Sequence, residues 1–522
     1  MRKIGRALIS VSDKTGIVEL ARELDSLGVE ILSTGGTKKR LEQAGITVVG
    51  VSEYTGFPEM MDGRVKTLHP KIHAGLLALR GNKQHVQQMK DRGFGYIDMV
   101  IVNLYPFRET IAKPDVTLDE AVEQIDIGGP TMLRSAAKNF RDVVVIVNPK
   151  RYDQVIAELR DTGSVSDGTR YALAQEVFEH TAGYDAAIAS YLQRQNADSP
   201  RFPQRLISSL DKVQDLRYGE NPHQQAAFYR EPEVTEPSVS TADLLWGKEL
   251  SYNNIMDIDA ALEIVKEFEQ PAAVVIKHTN PCGAGIGSTL EEAYRKAQQG
   301  DPVSAFGSII GLNLEVDEAT AASIALPDSF IEAIIAPDFQ EGALDILKNR
   351  QKWGKNLRIL KTGPLDKTSR DSYYVKRVVG GLLVQDFDGA LYEKAALKVV
   401  TEREPSEKEK ADLFFAWIIC KHVKSNAIVY AKNGMVVGVG AGQMSRVDAS
   451  IIAARKAGER ARGAVLASDA FFPFRDGVDA AAEAGVTAII EPGGSLKDDE
   501  VIQAANEHGM AMLFTGMRHF KH

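Results

Sequence analysis

The amino-acid sequence predicts an α/β protein, with a parallel sheet in its N-terminal part and a second α/β region after it. Two observations predict this class. Short apolar runs rich in β-branched residues alternate with amphipathic segments of helical length, and Gly, Asn, Asp or Pro stands in the turns between them. At 522 residues the chain is also too long for a single hydrophobic core.

The N-terminal elements follow this alternation from the start of the chain. Strand and helix at this spacing imply βαβ units and therefore a parallel sheet. The predicted elements are a strand over 7–11, a helix over 17–27 that Gly28 ends, strands over 29–32, 48–51 and 99–103, and a mostly helical segment over 151–195. The stretch 197–203, with two prolines among small polar residues, is the predicted linker.

The C-terminal part shows a second α/β pattern, with no clear sequence repeat. A hairpin is predicted at Asn433-Gly434, because this dipeptide stands between alternating apolar residues. A turn is predicted over 280–283, where Asn280, Pro281 and Gly283 follow an apolar run. The other predicted elements are helices over 256–268 and 407–421 and strands over 272–276, 330–336, 357–360, 382–386 and 436–442.

Charge and composition exclude several classes of function. The net charge of -9 argues against general nucleic-acid binding, but it leaves room for a local cationic pocket. No apolar run reaches membrane-spanning length, and the first residues lack a signal-peptide core. The two cysteines, Cys282 and Cys420, cannot form a disulfide framework or a cysteine-rich zinc site. We therefore expect a soluble cytoplasmic protein.

Two Gly-Gly turns before predicted helices have the character of phosphate-binding loops. They are 33–37 and 127–131, and each offers backbone N–H groups at a helix N-terminus. Taken alone, a Gly-Gly turn before a helix is usually only a turn. Neither a GxxxxGK[ST] loop nor a GxGxxG fingerprint occurs, so the sequence does not indicate an ATPase or a dinucleotide enzyme.

The segment 56–75 is long and poor in predicted structure, and such loops are often functional. It carries Lys66 among other cations, with apolar residues between them. Together with Tyr105, Asp126 and Lys138, Lys66 could serve proton transfer around an anionic substrate without a metal. As separate residues, each of the four is more typical of a structural role than of a catalytic one.

Lys277 and His278 stand together where the apolar strand 272–276 ends. An imidazole titrates near neutrality, and a neighbouring ammonium can hold a developing oxyanion. Adjacent strand residues point to opposite faces, so both can serve one site only if the strand ends there. A surface lysine beside a structural histidine is the alternative.

Motifs along the whole chain closely resemble the PurH family of bifunctional purine biosynthesis proteins. Members join an IMP cyclohydrolase to an AICAR transformylase (AICAR is 5-aminoimidazole-4-carboxamide ribonucleotide). The match runs from end to end without a departure at the residues used below. The motifs are SVSDKTG (10–16), STGGT (33–37), GFPEM (56–60), GRVKTLHP (63–70), NLYPF (103–107), QIDIGG (124–129), RYGENPHQ (217–224), KHTNPCG (277–283), SNAIVYAKNG (425–434), GAGQMSR (440–446), SDAFFPFRD (468–476) and MRHFKH (517–522).

The resemblance implies a division of the chain into two catalytic domains. Residues 1–198 look like the cyclohydrolase domain, with a methylglyoxal-synthase-like core over about 1–148. Residues 199–522 look like the transformylase, built from two cytidine-deaminase-like α/β subdomains divided near 367–380. True deaminases hold zinc with a Pro-Cys-x-x-Cys segment. This chain has Pro281-Cys282 without the second cysteine, so no catalytic metal is expected.

The resemblance also implies roles for individual residues. The co-substrate is 10-formyltetrahydrofolate, the nucleotide substrates are AICAR and formyl-AICAR, and the protein is a homodimer. Nucleic-acid and membrane partners are not expected, on the grounds of charge and composition given above. The implied catalytic residues are Lys66, Tyr105, Asp126 and Lys138 for cyclisation and Lys277 and His278 for formyl transfer. The implied substrate-binding residues are Ser12, Lys14, Ser33, Gly35, Gly36, Thr37, Arg64, Thr67, Asn103, Gly128, Arg217, Tyr218, Asn426, Arg446, Phe471, Asp476 and Arg518.

Two alternatives stay open at this point. The first is a nucleotide-sensing regulatory protein, since methylglyoxal-synthase-like domains also occur as regulatory modules. The four residues Lys66, Tyr105, Asp126 and Lys138 disfavour it, because binding a phosphate needs only the Gly-rich loops and a cation. The second alternative is a protein in which only one of the two activities works.

Overall fold

The structure, a computed structural model, describes residues 3–232, 234–327, 329–350, 352–365 and 373–522. The chain divides into two compact units, Met1–Leu210 with Glu231–Glu233, and Asp211–Arg230 with Val234–His522. The domain boundary at 198/199 stays a prediction. The predicted division near 367–380 lies partly outside the described residues, because 366–372 are not among them.

The first unit is built on a five-stranded sheet in the order β3-β2-β1-β4-β5. Every neighbouring pair is parallel, which confirms the predicted parallel sheet. The strand order changes direction between β1 and β4, and such a switch point is where open α/β sheets bind ligands. The strands are β1 (Arg6–Ser10), β2 (Glu30–Ser33), β3 (Val49–Gly50), β4 (Met99–Val102) and β5 (Val144–Ile146).

Helices cover both faces of this sheet. Adjacent residues of β1 pack into different hydrophobic clusters, Leu8 on one face and Ile9 on the other, as the period of a strand requires. The helices are α1 (Ile17–Ser26), α2 (Gly35–Gln43), α3 (Val51–Thr55), α4 (Pro70–Leu77), α5 (Lys83–Asp91), α6 (Phe107–Ile111), α7 (Leu118–Glu123), α8 (Gly128–Lys138), α9 (Tyr152–Thr162) and α10 (Asp167–Gln195), with short 3₁₀ turns at Met61–Gly63 and Pro149–Arg151.

The segment 56–75 is more regular than the sequence predicts. Its last third begins α4, where Pro70 takes the first helical position. The His69 ring nitrogen Nδ1 accepts a hydrogen bond from Lys71 N at 3.1 Å and so caps the helix. Histidine is an uncommon cap, which is why the sequence reading missed this start.

The second unit is built on one twelve-stranded sheet in the order β16-β21-β20-β19-β17-β18-β10-β9-β11-β12-β13-β8. Two separate hairpins, β6–β7 and β14–β15, stand outside it. The strands are β6 (Asp211–Leu216), β7 (Ala226–Arg230), β8 (Asp243–Trp246), β9 (Ala272–Lys277), β10 (Asn280–Ile286), β11 (Ser308–Leu312), β12 (Ile331–Ala336), β13 (Arg358–Lys361), β14 (Tyr373–Val378), β15 (Gly381–Asp386), β16 (Lys398–Val399), β17 (Ile428–Lys432), β18 (Met435–Gly440), β19 (Val465–Ser468), β20 (Ala488–Glu491) and β21 (Ala511–Phe514).

The twelve strands form two halves of equal topology. In each half an antiparallel hairpin is followed by three parallel strands and closed by an antiparallel edge strand, in the order 10-9-11-12-13-8 in one half and 18-17-19-20-21-16 in the other. The halves join where β10 pairs antiparallel with β18. The sequence showed no clear repeat, yet the structure contains one.

The helices of the second unit repeat in the same way. One helix precedes each hairpin, α11 in the first half and α15 in the second, and one helix follows it, α12 and α16. The helices are α11 (Tyr252–Val265), α12 (Leu290–Gly300), α13 (Glu318–Ile324), α14 (Glu341–Lys348), α15 (Glu407–Lys421), α16 (Arg446–Ala457), α17 (Asp476–Glu483) and α18 (Asp498–Glu507), with short 3₁₀ turns at Gly354–Asn356 and Gly458–Ala461.

The hairpin predicted at Asn433-Gly434 is confirmed, and it joins β17 to β18. The turn predicted over 280–283 is wrong, because these residues belong to β10. The chain turns instead at His278 and Thr279. Pro281 fits inside the sheet because the pairing register shifts between Pro281 and Gly283, and such a bulge tolerates a missing N–H group.

Within the ranges that the structure describes, no helix is both long and apolar enough to cross a membrane.

Candidate active sites

Asn103 fixes the backbone of the loop after β1, at the switch point of the first unit. This residue follows β4, and its side-chain oxygen accepts hydrogen bonds from Ser12 N at 2.6 Å and Asp13 N at 3.0 Å. Its amide nitrogen donates to Asp13 O at 2.9 Å. Asn103 therefore ties together the carboxyl ends of the two strands that flank the switch point.

A candidate anion cradle lies at the N-terminus of α2. A Cβ placed on Gly35 would lie 3.8 Å from Lys66 Nζ, and one placed on Gly36 would lie 3.9 Å from Lys14 Cε. Two lysines thus reach over the Gly35–Gly36 turn, where the first N–H groups of the helix point outward. Lys14 Nζ also donates to Ser12 O at 3.2 Å. The sequence-predicted residues Ser12, Lys14, Gly35, Gly36 and Lys66 are therefore brought together.

Two other residues of the Gly-Gly loop, Ser33 and Thr37, fix the position of the cradle through hydrogen bonds to the backbone. Ser33 Oγ donates to Ile9 O at 2.7 Å. Thr37 Oγ1 donates to Val11 O at 3.0 Å and accepts from Val11 N at 3.1 Å. Both hydroxyls are buried, so they join the loops after β1 and β2 to each other.

Lys66 has an acidic neighbour that the sequence reading did not select. Lys66 Nζ lies 3.1 Å from Glu59 Oε1, and a Cβ on Gly63 would lie 2.8 Å from the same nitrogen. Gly63 has a φ of +94°, which a side chain would strain. The absence of a side chain at Gly63 leaves the space that Lys66 occupies.

Asp126 forms a second cluster at the N-terminus of α8. Its carboxylate accepts from Gly129 N at 2.8 Å, and backbone N–H groups of Tyr105 and Gly128 also reach it. Burial raises the pKa of Asp126, and these N–H groups oppose the rise. A Cβ on Gly128 would lie 2.7 Å from Thr67 Oγ1, so the segment that carries Lys66 also borders this cluster.

Tyr184 supports the Asp126 cluster from α10. Its hydroxyl accepts from Asp126 N at 2.9 Å and donates to Gln124 O at 2.9 Å. Burial raises the pKa of Tyr184 to about 12, so the phenol stays protonated. Nothing in the local sequence distinguishes this tyrosine from other aromatic residues of the long helix.

Two predicted residues lie away from these clusters. Lys138 ends α8, the helix that Gly128 begins, and ten residues of helix rise span about 15 Å. Its side chain is exposed. Arg64 is also exposed and pairs with Glu123. The structure therefore does not bring Lys138 to Asp126, and Arg64 reaches outward.

The second unit places Lys277 and His278 at the end of β9, as the sequence required for a shared site. Lys277 Nζ donates to Phe306 O and to Gly307 O, each at 2.9 Å. His278 and Thr279 form the turn between β9 and β10, with φ values of +54° and +61°. His278 is exposed. Its imidazole is therefore accessible to a ligand.

Two side chains that are not among the predicted site residues, those of Asp257 and Asn280, fix this turn. Asp257 Oδ1 accepts from Thr279 N at 2.6 Å, and the His278 backbone N–H also reaches this carboxylate. Asn280 Nδ2 donates to His278 O at 3.0 Å, and Asn280 Oδ1 accepts from Lys424 N at 3.1 Å. The turn is therefore attached both to α11 and to the segment before Asn426.

A buried network surrounds Asp469 at the end of β19. Arg446 Nη2 donates to Asn426 Oδ1 at 2.8 Å, and Arg446 Nη1 donates to Asp469 Oδ1 and to Ser468 Oγ. Arg446 is buried and forms a structural ion pair with Asp469. The predicted contact between Arg446 and a nucleotide would be made in addition to this pair. Asp469 was not predicted, although it lies in the motif SDAFFPFRD.

The remaining predicted residues of the second unit are exposed or half-buried. Arg217 stacks over the Tyr218 ring, and their loop is joined to α11 where Asn253 Nδ2 donates to Glu220 O at 3.4 Å. Phe471 lies two residues after Asp469. Arg518 stacks over Phe520 beside His519, whose N–H donates to Asp469 O at 3.0 Å. Asp476 begins α17 at the surface.

Within the described part of the chain, no group of three His, Cys, Asp or Glu residues could hold a metal ion. Both cysteines are free thiols. Cys282 Sγ donates to Val275 O at 3.4 Å, and burial raises the pKa of this thiol to about 12.

Family models match both parts of the chain. The model described as MGS-like domain matches residues 16–131, and the model described as AICARFT/IMPCHase bienzyme matches residues 136–456. Proteins named bifunctional purine biosynthesis protein PurH, from Bacillus cereus strain AH820 and Bacillus thuringiensis strain Al Hakam, are each 56% identical over 517 residues, covering 99% of both chains. A solved structure titled crystal structure of ForH is 35% identical and covers 36% of this chain and 96% of that one, with a TM-score of 0.34.

Two catalytic activities therefore share this chain, and the protein is a bifunctional enzyme of purine biosynthesis. It belongs to the AICARFT/IMPCHase bienzyme family, which combines AICAR formyltransferase with IMP cyclohydrolase. The resemblance seen in the sequence motifs is confirmed, and so is the predicted fold class. Membership of this family favours the enzyme over the nucleotide-sensing alternative.

Proposed function

We propose that the first unit carries the cyclohydrolase site and the second unit carries the formyltransferase site. One observation carries the division: each unit holds its own cluster of reactive groups. In the first unit Lys66 and Lys14 lie over the α2 N-terminus, and Thr67 connects Lys66 to the Asp126 cluster. In the second unit Lys277 and His278 lie at an exposed hairpin turn.

In the first unit, formyl-AICAR closes on itself to give IMP. The carboxamide nitrogen attacks the formyl carbon, and the formyl oxygen leaves as water. One proton comes from the carboxamide nitrogen and one from the formamido nitrogen. Asp126 accepts a proton, because burial raises its pKa toward the range of a general base, and Tyr105 returns one to the leaving oxygen. Lys66 stabilises the oxyanion.

The cradle binds the nucleotide phosphate in this proposal. Gly35 and Gly36 offer backbone N–H groups, and Lys14 adds a cation. Ser12, Ser33, Thr37, Thr67, Asn103 and Gly128 shape the walls around it. Arg64 contacts the nucleotide after leaving Glu123, and Lys138 keeps the catalytic role that the family resemblance gives it, although it lies about 15 Å along α8 from Gly128.

In the second unit, the 5-amino group of AICAR attacks the formyl carbon of 10-formyltetrahydrofolate. The new carbon–nitrogen bond forms first and gives a tetrahedral oxyanion, and the bond to N10 of the folate breaks when this oxyanion collapses. His278 takes the proton that the amine loses, and N10 of the folate receives a proton as it leaves. Lys277 stabilises the tetrahedral oxyanion, since its ammonium is fixed by two backbone carbonyls.

The substrate-binding residues of the transferase site form two groups in this proposal. Arg217 and Tyr218 lie beside α11, which also carries Asp257. Asn426 and Arg446 belong to the Asp469 network, with Phe471 and Arg518 next to it in the chain. Asp476 completes the set. We assign the nucleotide and the folate to these seven residues together.

We also propose that the enzyme works in the cytoplasm as a homodimer, without nucleic-acid or membrane partners. The hairpin β14–β15 supports the dimer, because it exposes several large apolar side chains outside the main sheet. Val379 at its tip and Leu383 are among them. A second copy of the chain would bury this surface. The double variant V379K/L383K should run as a monomer in light scattering, and an unchanged mass would contradict the assignment of this surface.

A single incubation with AICAR and 10-formyltetrahydrofolate, with products separated over time, tests the two sites. The parent protein should form IMP. Lys66→Ala should accumulate formyl-AICAR, and His278→Ala should form neither product yet still convert supplied formyl-AICAR to IMP. Loss of both activities from either variant would contradict separate sites. A His278→Ala variant that transfers formyl at the parent rate would remove the base assignment.

A further inference from the structure

The two halves of the second unit use the same device at corresponding hairpins. In the first half Asp257 of α11 accepts from the N–H of Thr279, 22 positions later in the chain. In the second half Asp412 of α15 accepts from the N–H of Gly434, also 22 positions later, at 2.7 Å. Asp412 accepts from Asn433 N at 2.9 Å as well. A carboxylate on the preceding helix thus holds the turn of each hairpin.

The two turns differ in their own preference for this conformation. Asn433 and Gly434 have φ values of +57° and +66°, and Asn-Gly is the dipeptide that adopts such a turn most readily. His278 and Thr279 have φ values of +54° and +61°. A β-branched residue at positive φ is a strained outlier, so this turn needs outside support. The support comes from the Asp257 carboxylate.

We propose that Asp257 is a positioning residue for formyl transfer: it holds the His278–Thr279 turn in the left-handed conformation that presents the His278 imidazole to the substrate. The inference rests on the proposed function, in which His278 is the base. Asp257 acts through the backbone N–H groups of the turn, not through contact with the substrate. Asp257 is also more buried than the exposed His278, which keeps water from competing for its hydrogen bonds.

Comparison with the second half shows what the strained pair His278–Thr279 provides. A turn of the Asn-Gly type needs no histidine, and the second half has none there. Placing an imidazole at the tip of the hairpin requires a residue other than Asn or Gly at that position. The Asp257 carboxylate acts as a clamp on the turn. It therefore allows a reactive side chain to replace a turn-forming one without loss of the turn.

The experiment compares four variants in the formyl-transfer assay, with cyclisation of supplied formyl-AICAR by the same protein as an internal control. Asp257→Ala removes the clamp, and Asp257→Asn keeps one acceptor of the same size. Asp257→Ala/Thr279→Gly tests rescue, because glycine adopts positive φ without strain. Asp412→Ala is the matched control, since it removes the corresponding clamp from a turn that forms readily by itself.

We expect Asp257→Ala to lower kcat for formyl transfer about 10- to 100-fold, because a small misplacement of a catalytic group has an effect of this size. The KM for AICAR should change less than about twofold, since Asp257 does not touch the substrate. Asp257→Asn should lie between Asp257→Ala and the parent. Adding Thr279→Gly should restore most of the lost kcat, whereas Asp412→Ala should stay near the parent.

Each other outcome has a defined meaning. A kcat for Asp257→Ala at the parent level, with His278→Ala inactive, overturns the inference and leaves the proposed function standing. An active His278→Ala overturns both. Loss of rate without rescue by Thr279→Gly overturns the positioning role, as does an equal loss in Asp412→Ala. If Asp257→Ala also loses cyclisation, the isosteric Asp257→Asn with and without Thr279→Gly decides by the same comparison.

Discussion

Arg446 and Asp469 form an ion pair in which both side chains are buried, with 6% and 0% of the side-chain surface exposed. The other oxygen of Asp469 accepts from Ser425 Oγ, and the other guanidinium nitrogen donates to Asn426 Oδ1 at 2.8 Å. The pair therefore fixes the segment 425–426, which follows the Lys424 N–H that bonds to Asn280. Through this chain of hydrogen bonds it supports the His278 turn.

We expect Asp469→Ala to destabilise the second unit by about 3–5 kcal/mol, because it leaves the Arg446 charge buried without its partner. Urea unfolding followed by tryptophan fluorescence measures this, since Trp246, Trp353 and Trp417 all lie in that unit. Glu459→Gln is the control. It breaks the exposed pair with Arg462 in the same unit and should leave the midpoint nearly unchanged. Equal effects of the two variants would contradict the buried-pair argument.

The alternation of strands and helices in the first unit could be predicted from the sequence, because its strands are buried on both faces and read as continuous apolar runs. The Asn433-Gly434 hairpin could be predicted from its turn chemistry. The His278–Thr279 turn could not, because a β-branched residue such as Thr279 disfavours positive φ. A carboxylate 22 positions earlier supplies what the local sequence lacks. Local propensity cannot reveal such a distant support.

The internal repeat of the second unit was also invisible in the sequence. Its traces are glycines that let a helix approach the hairpin. A Cβ on Gly283 would lie 1.9 Å from Ala297 O, and a Cβ on the corresponding Gly438 would lie 2.2 Å from Ala453 O. In both halves the helix after the hairpin excludes any side chain there. Packing of this kind restricts residue size at a handful of positions and leaves the others free, so the repeat does not stand out in the sequence.

Thr37 provides a prediction for the first unit. Its hydroxyl satisfies both Val11 N and Val11 O in a buried position, so Thr37→Val leaves two polar groups without that partner. The expected loss is about 1–3 kcal/mol in the free energy of unfolding of this unit. Hydrogen exchange of β1 and β2 amides would report it, since the tryptophans all lie in the other unit. Thr37→Ser keeps the hydroxyl and should remain near the parent. Equal protection in Val and Ser variants would contradict the role.

The pair of Glu59 and Lys66 predicts a change in anion affinity. The Glu59 carboxylate lies 3.1 Å from Lys66 Nζ and lowers the positive potential at the cradle. Glu59→Gln should therefore tighten binding of IMP, by up to about fivefold given that the pair is partly exposed. Titration calorimetry at low salt measures this, and high salt should remove the gain. Glu42→Gln on α2, paired with Lys38, is the control. Weaker binding by Glu59→Gln would mean that Glu59 mainly holds Lys66 in place.

A buried histidine in the second unit predicts how stability depends on pH. Burial lowers the pKa of His422 from its usual 6.5 to about 4, although Glu267 opposes this, while Lys421 and Lys521 add to it. Burial would raise the pKa of Glu267, but hydrogen bonds from His422 and Lys421 outweigh it and bring the value from 4.5 to about 2. Both groups therefore bind protons less readily in the folded chain than in the unfolded chain.

The sign of the effect follows from this difference. Between pH 6.5 and about 4 the unfolded chain binds a proton at His422 that the folded chain does not, so stability falls as the pH is lowered through this window. Glu267 extends the fall from pH 4.5 to about 2. His422→Gln should reduce the pH dependence of the urea unfolding midpoint between pH 6.5 and 4.5, measured by tryptophan fluorescence. Replacing the exposed His223 by Gln should leave this pH dependence unchanged. If His422→Gln keeps the parent slope in this window, another group carries the acid sensitivity, because a glutamine has no proton to gain there.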